Sequence, residues 1–542
     1  MTKLVALALL GTSLLPAQVT YERLLKASSE PNNWMTYSGN YNGWRYSSLG
    51  QINRQNVANL KVAWVQQMPT SHRVEATPIV VDGIMYVTEP PSNVIALDAA
   101  TGRPYWHYKR SLPPYNVCCD AVNRGVAVLG DRVFVGTVDA HLVALHAKTG
   151  AVLWDVPVAD PTKGYSVTGA PLVVKDMVIT GVAGGEYGVR GFLDAYDIKT
   201  GKRKWRFNTV PGPGEKGHET WPSTGPNANT WQQGGGPTWV TGSYDPAQNL
   251  IIWGVGNPSP DWNADNRPGD NLYTDSAIAL DADTGTLKWH YQFVPHDAND
   301  WDAVQVPVLV DGDWQGKPRK LVYWAHRNGF YYVLDRTTGE FLLGKPFAKQ
   351  TWAKEIDAKG RPVRNPNSYP TLEGNVVWPG VQGATNWYSP SYNPVTSQFY
   401  LSVWENKGWY LKGEPKYTPG NRFVGSVPDI DMPDDQGYGA IRALNPKTGQ
   451  MVWEHKMQTK PWSGVLSTGS RLVFGSTGGW LNRSSREDSE AYFFALDADD
   501  GKELWRINLG GTMSANPISY MVNGKQMVAI AAGSAIFTFT LP

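Results

Sequence analysis

Six strings of one pattern recur along this chain: ALDAATGRPYW, ALHAKTGAVLW, AYDIKTGKRKW, ALDADTGTLKW, ALNPKTGQMVW and ALDADDGKELW, ending at Trp106, Trp154, Trp205, Trp289, Trp453 and Trp505. A seventh copy, VLDRTTGEFLL, puts Leu343 at the terminal position, and NVANLKVAW supplies Trp64 without its turn. Each full copy reads as a strand, a turn with glycine after Thr or Asp, and a second strand. The glycine suits a tight connection that needs positive φ. Repeats of about 40 to 50 residues built on a strand pair and a recurring tryptophan predict the blades of a propeller, each a four-stranded sheet buried against its neighbours. The expected fold class is therefore all-β, an eight-bladed β-propeller, with the tryptophans as packing pegs between blades. The final run MVAIAAGSAIFTFTL is strand-like, and Trp64 lacks a hairpin of its own, so the two ends should close the ring together. Long insertions between Trp205 and Trp289 and between Leu343 and Trp453 are where function is expected.

Residues 1–17, MTKLVALALLGTSLLPA, read as a secretory signal peptide: Lys3 is the positive start and Leu4 to Leu15 the apolar run, which is short for a membrane span. Residues 18–542 are then one propeller domain. Lys plus Arg (49) nearly balance Asp plus Glu (48), which gives no support to a nucleic-acid or anionic-membrane partner. The only two cysteines, Cys118 and Cys119, are adjacent. They read either as a local ring closed through their own peptide bond or as two free thiols acting as small hydrophobes, and export permits the first.

Other strings are not required by hairpin packing. GVAGGEYGVRG places Glu186 after two glycines, WGVGNPSPDW places Asn257 after an apolar strand, and PHDANDWDAV carries Asp297, Asp300 and Asp302. Carboxylates with an amide oxygen are the donor set of a hard cation, whereas zinc or copper would call for His or Cys.

From Trp34 to beyond Trp505 the chain resembles the pyrroloquinoline-quinone (PQQ)-dependent alcohol dehydrogenases, the quinoprotein propellers that include methanol and ethanol dehydrogenases. The resemblance rests on the repeats with CCDAVNRG, GGEYGVRG, GGGPTW, GNPSPDW, PHDANDWD, HRNGFYYVLDR and GATNW in order. It implies that Cys118 and Cys119 form a vicinal disulfide above the quinone ring and Trp239 the floor below it. It also implies cofactor contacts from Glu75, Arg124, Thr168, Gly184, Gly185, Arg327, Asn386, Trp387 and Trp462. Ala183 stands where a serine often precedes the glycines, Pro237 where a threonine often follows GGG, and AAGSAIF lacks the tryptophan of methanol dehydrogenases. These departures argue against a strict methanol dehydrogenase.

By the same resemblance Glu186 and Asn257 are metal ligands, and Asp300 is both close to the metal and the catalytic base. An aspartate two positions beyond the base marks the lanthanide-dependent members. If the segment is extended, Asp302 and Asp300 share a face, and a third carboxylate suits a trivalent ion better than calcium. The implied reaction takes a primary alcohol to an aldehyde by hydride transfer to the quinone C5, with Asp300 accepting the hydroxyl proton and Arg327 stabilising charge on the quinone oxygen. An aspartate beside a cation stays ionised, which suits a base but weakens it. Asp297 reads as a supporting residue. With no CxxCH in the chain, electrons pass to a separate, soluble periplasmic cytochrome c, and a homodimer is a further expectation. The stretch from Trp404 to Tyr438, with Trp409, Tyr410 and DIDMPDD, is expected to shape the substrate entrance. A calcium-dependent quinoprotein acting on polyols, sugars or aldehydes, and a non-catalytic propeller scaffold, are the competing readings.

Overall fold

The computed structural model describes residues 19–426, 437–478 and 491–542, so the signal-peptide expectation for 1–17 and the DIDMPDD run lie outside the described residues. Eight antiparallel sheets of four strands form the body, one of them extended by a short parallel fifth strand. Seven are simple meanders over 79–108, 127–157, 172–208, 243–292, 308–346, 391–457 and 466–508. In the eighth, Lys61–Gln67 pairs with Ala535–Thr540, which continues into Lys525–Ala532 and Ile518–Val522. The two ends do close the ring, and the eight-bladed propeller is the fold.

The repeat pattern acts through one contact. In six of the eight blades the outer-strand tryptophan lies on the turn glycine of the next: a Cβ built on Gly102, Gly150, Gly201, Gly285, Gly339 or Gly501 would stand 2.5–3.0 Å from the indole of Trp64, Trp106, Trp154, Trp205, Trp289 or Trp453. The same indole Nε1 donates to a turn carbonyl of that neighbour, from Trp106 to Ala147 at 2.9 Å, Trp154 to Ile198 at 3.0 Å and Trp205 to Ala282 at 3.0 Å. Trp289 and Trp453 do likewise to Arg336 and Ala498. The turn glycines adopt φ between +68° and +76°, so backbone conformation and steric room both demand glycine. Each buried indole removes roughly 150–250 Å² from water, at most roughly 4–6 kcal/mol of gross transfer energy.

Two blades improvise. Where Leu343 replaces the indole, Lys345 and the Tyr331 ring cover Gly449, and the Tyr331 hydroxyl donates to Pro446 O at 3.1 Å. Trp505 faces the closing blade, which has no such turn, and packs edge-on against Phe493 and Phe539.

A segment ahead of the first blade crosses the axis. Trp34 pairs with Val80, the Tyr41 hydroxyl donates to Val173 O, and the carbonyls of Tyr41, Asn42 and Trp44 accept from Tyr244, Leu309 and Tyr392. Tyr46–Ser47 then runs parallel to Leu466–Thr468. Contact with the innermost strands of six blades places this segment across one end of the ring. Arg45 within it is fully buried and donates to the carbonyls of Tyr37 and Pro517.

Gly150→Ala should destabilise the protein by about 2 kcal/mol or more, since it adds left-handed strain to a clash with Trp106. Urea unfolding checks this; a loss below about 0.5 kcal/mol would mean the peg is loose.

Candidate active site

The innermost strands converge on the axis, and the residues just ahead of them form a ring. Glu75, Thr168, Trp239, Trp387 and Trp462 each precede the first strand of a blade by four positions, and Arg124 precedes one by three. Arg124 is the hub of one side. Its Nη2 lies 2.7 Å from Glu75, its Nη1 donates to Thr168 Oγ1 at 3.1 Å, and its guanidinium stands 4.6 Å from the ring centres of both Trp239 and Trp387. Trp239 is half-buried against an apolar cluster that includes Tyr37, Val240, Val304, Trp387 and Trp462. Asn386 donates to Gln382 O and accepts the Trp387 N–H, and Trp462 meets Trp404 edge-on at 4.8 Å.

The other side is acidic. Gly184, at φ +120°, lets the chain pass so close to Gly164 O that a Cβ would fall 2.3 Å from it, and Glu186 follows on the short turn Gly185–Tyr187. Cys118 and Cys119 are joined as a disulfide, and Cys119 Sγ lies 3.9 Å from Glu186 Oε1. The three cluster as a metal site could, but sulfurs bound to each other are not thiolate ligands. The ring reading of the cysteines is the correct one.

Asn257 follows the strand Leu250–Gly254, and its N–H donates to Asp302 Oδ1 at 2.9 Å. Its own Oδ1 lies 3.3 Å from where a Cβ on Gly185 would stand, which puts the amide beside the Glu186 turn. Gly256 has to be glycine, because a Cβ there would sit 2.1 Å from Asp302 Oδ1. Asp302 is buried, pairs with Arg327 Nη1 and stands 3.5 Å from Trp239 Nε1. Arg327 Nη2 reaches Asp300 at 3.7 Å and donates to Val381 O at 2.5 Å.

Asp300 and Asp302 do converge, although not through an extended segment. No strand runs through 295–307, and Asp300 has φ +60°, which breaks the two-residue alternation; the two carboxyl groups meet at Arg327.

The sequence reading passed over one acid. Asp261 lies inside GNPSPDW, is 1% exposed, and neither of its oxygens receives a hydrogen bond of ordinary length. Burial, then Glu186 and Asp302, push its carboxyl far above the usual range. Burial, together with Asp302 and Asp261, does the same to Asp300 against the pull of Arg327, and burial and Asp302 raise Glu186. Burial works against the Arg327 charge, but Asp300 and Asp302 more than offset it. Behind this group lie Asp275 and Asp297, both fully buried and both raised by burial, with Arg267 and Arg364 among them. Both oxygens of Asp275 lack a hydrogen-bond donor.

Clustered carboxylates that repel one another, only partly offset by Arg327, Arg267 and Arg422, call for a cation, and oxygen donors suit a hard one. An aromatic ring half-buried beside a guanidinium at the hub suits a planar anion. A propeller that brings these together at its axis has the makings of a metal- and cofactor-binding propeller enzyme. Residues 34–345 and 424–528 match the family described as "PQQ: Glucose/ethanol/alcohol dehydrogenase, beta-propeller domain". The chain belongs to the PQQ-dependent alcohol dehydrogenase family. It is 40% identical to quinohemoprotein alcohol dehydrogenase ADH IIB of Pseudomonas putida, over 94% of this chain and 75% of that one. It is 37% identical to 1-butanol dehydrogenase (cytochrome c) of Thauera butanivorans, over 97% and 77%. A europium-containing methanol dehydrogenase superimposes with TM-score 0.86 at 33% identity, covering 96% of this chain and all of the other.

Acids whose folded pKa is raised bind more protons folded than unfolded, so in the metal- and cofactor-free protein the contribution of these site carboxyls to stability is fully present in mild acid. That contribution should be lost as pH rises from about 4 through the raised values. Melting curves of the apo-protein from pH 4 to 8 read this out, and Asp275→Asn should flatten the decline; an unchanged slope in that variant would contradict the assignment.

Proposed function

We propose that this PQQ-dependent alcohol dehydrogenase oxidises primary alcohols to aldehydes at the hub, with Asp300 as base and a trivalent hard cation held by Glu186, Asn257, Asp300 and Asp302. The observation that carries this reading is the convergence of those carboxyl groups and Arg327 beside Trp239. When bound, the cation supplies Lewis acidity and the quinone a hydride acceptor.

The chain's own groups do the rest. Arg124 and Thr168 would bind the carboxylates of the quinone, with Glu75 fixing the guanidinium. Trp239 and the Cys118–Cys119 disulfide would hold the ring between them and keep water from it. Gly184 and Gly185 would leave room for the cofactor, and Asn386, Trp387 and Trp462 would wall it. Asp300 takes the hydroxyl proton of the alcohol, and Arg327 holds that carboxylate in place and offers a donor to the oxygen where charge develops. Asp300 is raised by burial in the protein alone. Its ionised state as base therefore depends on the neighbouring cation, which also restrains its basicity.

Three carboxylates in the ligand set, Glu186, Asp300 and Asp302, favour the trivalent ion. Six carboxyl groups in and behind the site (Glu186, Asp261, Asp275, Asp297, Asp300 and Asp302) face the buried Arg267 and Arg327, the half-buried Arg364 and, at Glu186, Arg422, a formal excess of two negative charges when all are ionised. Calcium is the second reading, favoured by the direct Asp302–Arg327 pair, which already neutralises one carboxylate. The acceptor is a separate cytochrome c, as the name of the Thauera relative supports, and residues 1–17 direct export to the periplasm. No helix among the described residues is long and apolar enough to cross a membrane.

Apo-protein reconstituted with PQQ should reduce a dye with primary alcohols only after metal addition, more strongly with a light lanthanide than with calcium. Equal rates with the two ions would sink the role given to Asp302. Asp302→Ala should lose the lanthanide response, whereas Asp300→Asn should cost about 100-fold or more in kcat with either ion.

A further inference from the structure

The disulfide is tied to the wall beside it by residues that the proposed chemistry does not use. Asp120, next to Cys119, has φ +86°, a left-handed backbone that aspartate adopts more readily than most residues. Its Oδ1 meets His72 Nδ1 at 2.6 Å and accepts the Ala121 N–H at 2.8 Å; its Oδ2 accepts the Arg73 N–H at 3.2 Å and lies 3.6 Å from Arg73 Nε. Arg73 Nη2 donates to the Cys119 carbonyl at 3.0 Å, and its guanidinium stands 5.7 Å from the Trp462 ring centre. One side chain thus joins the disulfide loop, the segment leading to Glu75 and a tryptophan of the ring. Arg73 and Asp120 are about a quarter exposed, and ion pairs that reach solvent stabilise a fold little. Their geometry has more to do with where the loop sits than with holding the blades together.

We propose that Arg73 and Asp120 are positioning residues, a latch that holds the disulfide loop closed over PQQ and so sets how slowly the cofactor leaves. This rests on the reading of the disulfide as the cover of PQQ. Nothing in the latch touches the reacting atoms; its tie to the cover is the Arg73 hydrogen bond to the Cys119 carbonyl. A lid that must lift before its ligand escapes makes the dissociation rate the sensitive quantity.

The test uses holoprotein loaded with PQQ and metal, freed of excess cofactor, with released PQQ measured in the filtrate over time. Arg73→Leu and Asp120→Asn should release PQQ about tenfold faster than the unsubstituted protein, with unchanged apo-protein melting temperatures, because the latch is lost and the fold is not. Arg73→Lys should fall between, since its ammonium keeps the charge but cannot serve both Asp120 and the Cys119 carbonyl. In a Cys118→Ala/Cys119→Ala protein release should already be fast, and adding Arg73→Leu should change it by less than about twofold. Release rates of both single variants within about twofold of the unsubstituted protein overturn the latch. So does an undiminished Arg73→Leu effect in the cysteine-free protein, which would mean that Arg73 acts through Trp462, Glu75 or PQQ itself and not through the disulfide loop. If replacing the cysteines leaves release unaltered, the covering role of the disulfide itself fails, and the latch with it.

Discussion

An indole laid flat on a glycine of the next blade, with its N–H given to that blade's backbone, is the contact from which the rest of the structure follows. It fixes the distance and rotation between neighbouring sheets, because the ring fills the space a Cβ would need and the hydrogen bond sets its heading. Repeated around the ring, it brings the loops ahead of the inner strands to a common radius. Glu75, Arg124, Thr168, Trp239, Trp387 and Trp462 belong to different blades and still meet at one hub. Packing between blades is therefore what aims the site, although none of the peg tryptophans touches it.

The hub concentrates what a single blade could not tolerate. A buried carboxylate without a donor is costly in any sheet, yet Asp261 and Asp275 are kept that way while Asp300 and Glu186 are raised beside them. The unfavourable energy is spread over several loops and held by the ring as a whole. Small residues make the approach possible: Gly256 admits Asp302, and Gly184 admits the turn that presents Glu186.

Much of this was legible in the chain because it repeats. The turn glycine and terminal tryptophan recur at fixed spacing, so blade number, peg role and closure by both ends could be read directly. Leu343 was visible as a departure, but the use of Tyr331 and Lys345 to cover Gly449 depends on a neighbouring blade and leaves no local mark. In the site, Glu186, Asn257, Asp300 and Asp302 stood out as oxygen donors in unusual strings. Asp261 lies in the same GNPSPDW string as Asn257 but carries no mark of its role, since its importance comes from burial, which an aspartate between Pro260 and Trp262 does not advertise. The alternation argument for Asp300 and Asp302 reached a true neighbourhood by a wrong geometry, because left-handed backbone at Asp300 cannot be inferred from composition. Arg73 and Asp120 were silent for a similar reason: their partners are brought close only by the ring.

The sheet that closes the ring draws one strand from 61–67 and three from 518–540. A chain emerging from the ribosome N-terminus first must carry Lys61–Gln67 unpaired until its final strand has been made. The earlier blades then form an open stack with a bare face at each end, and the ring around the hub is incomplete. Holding the chain unfolded until synthesis ends costs this architecture little, which makes it well suited to being threaded across a membrane before it folds.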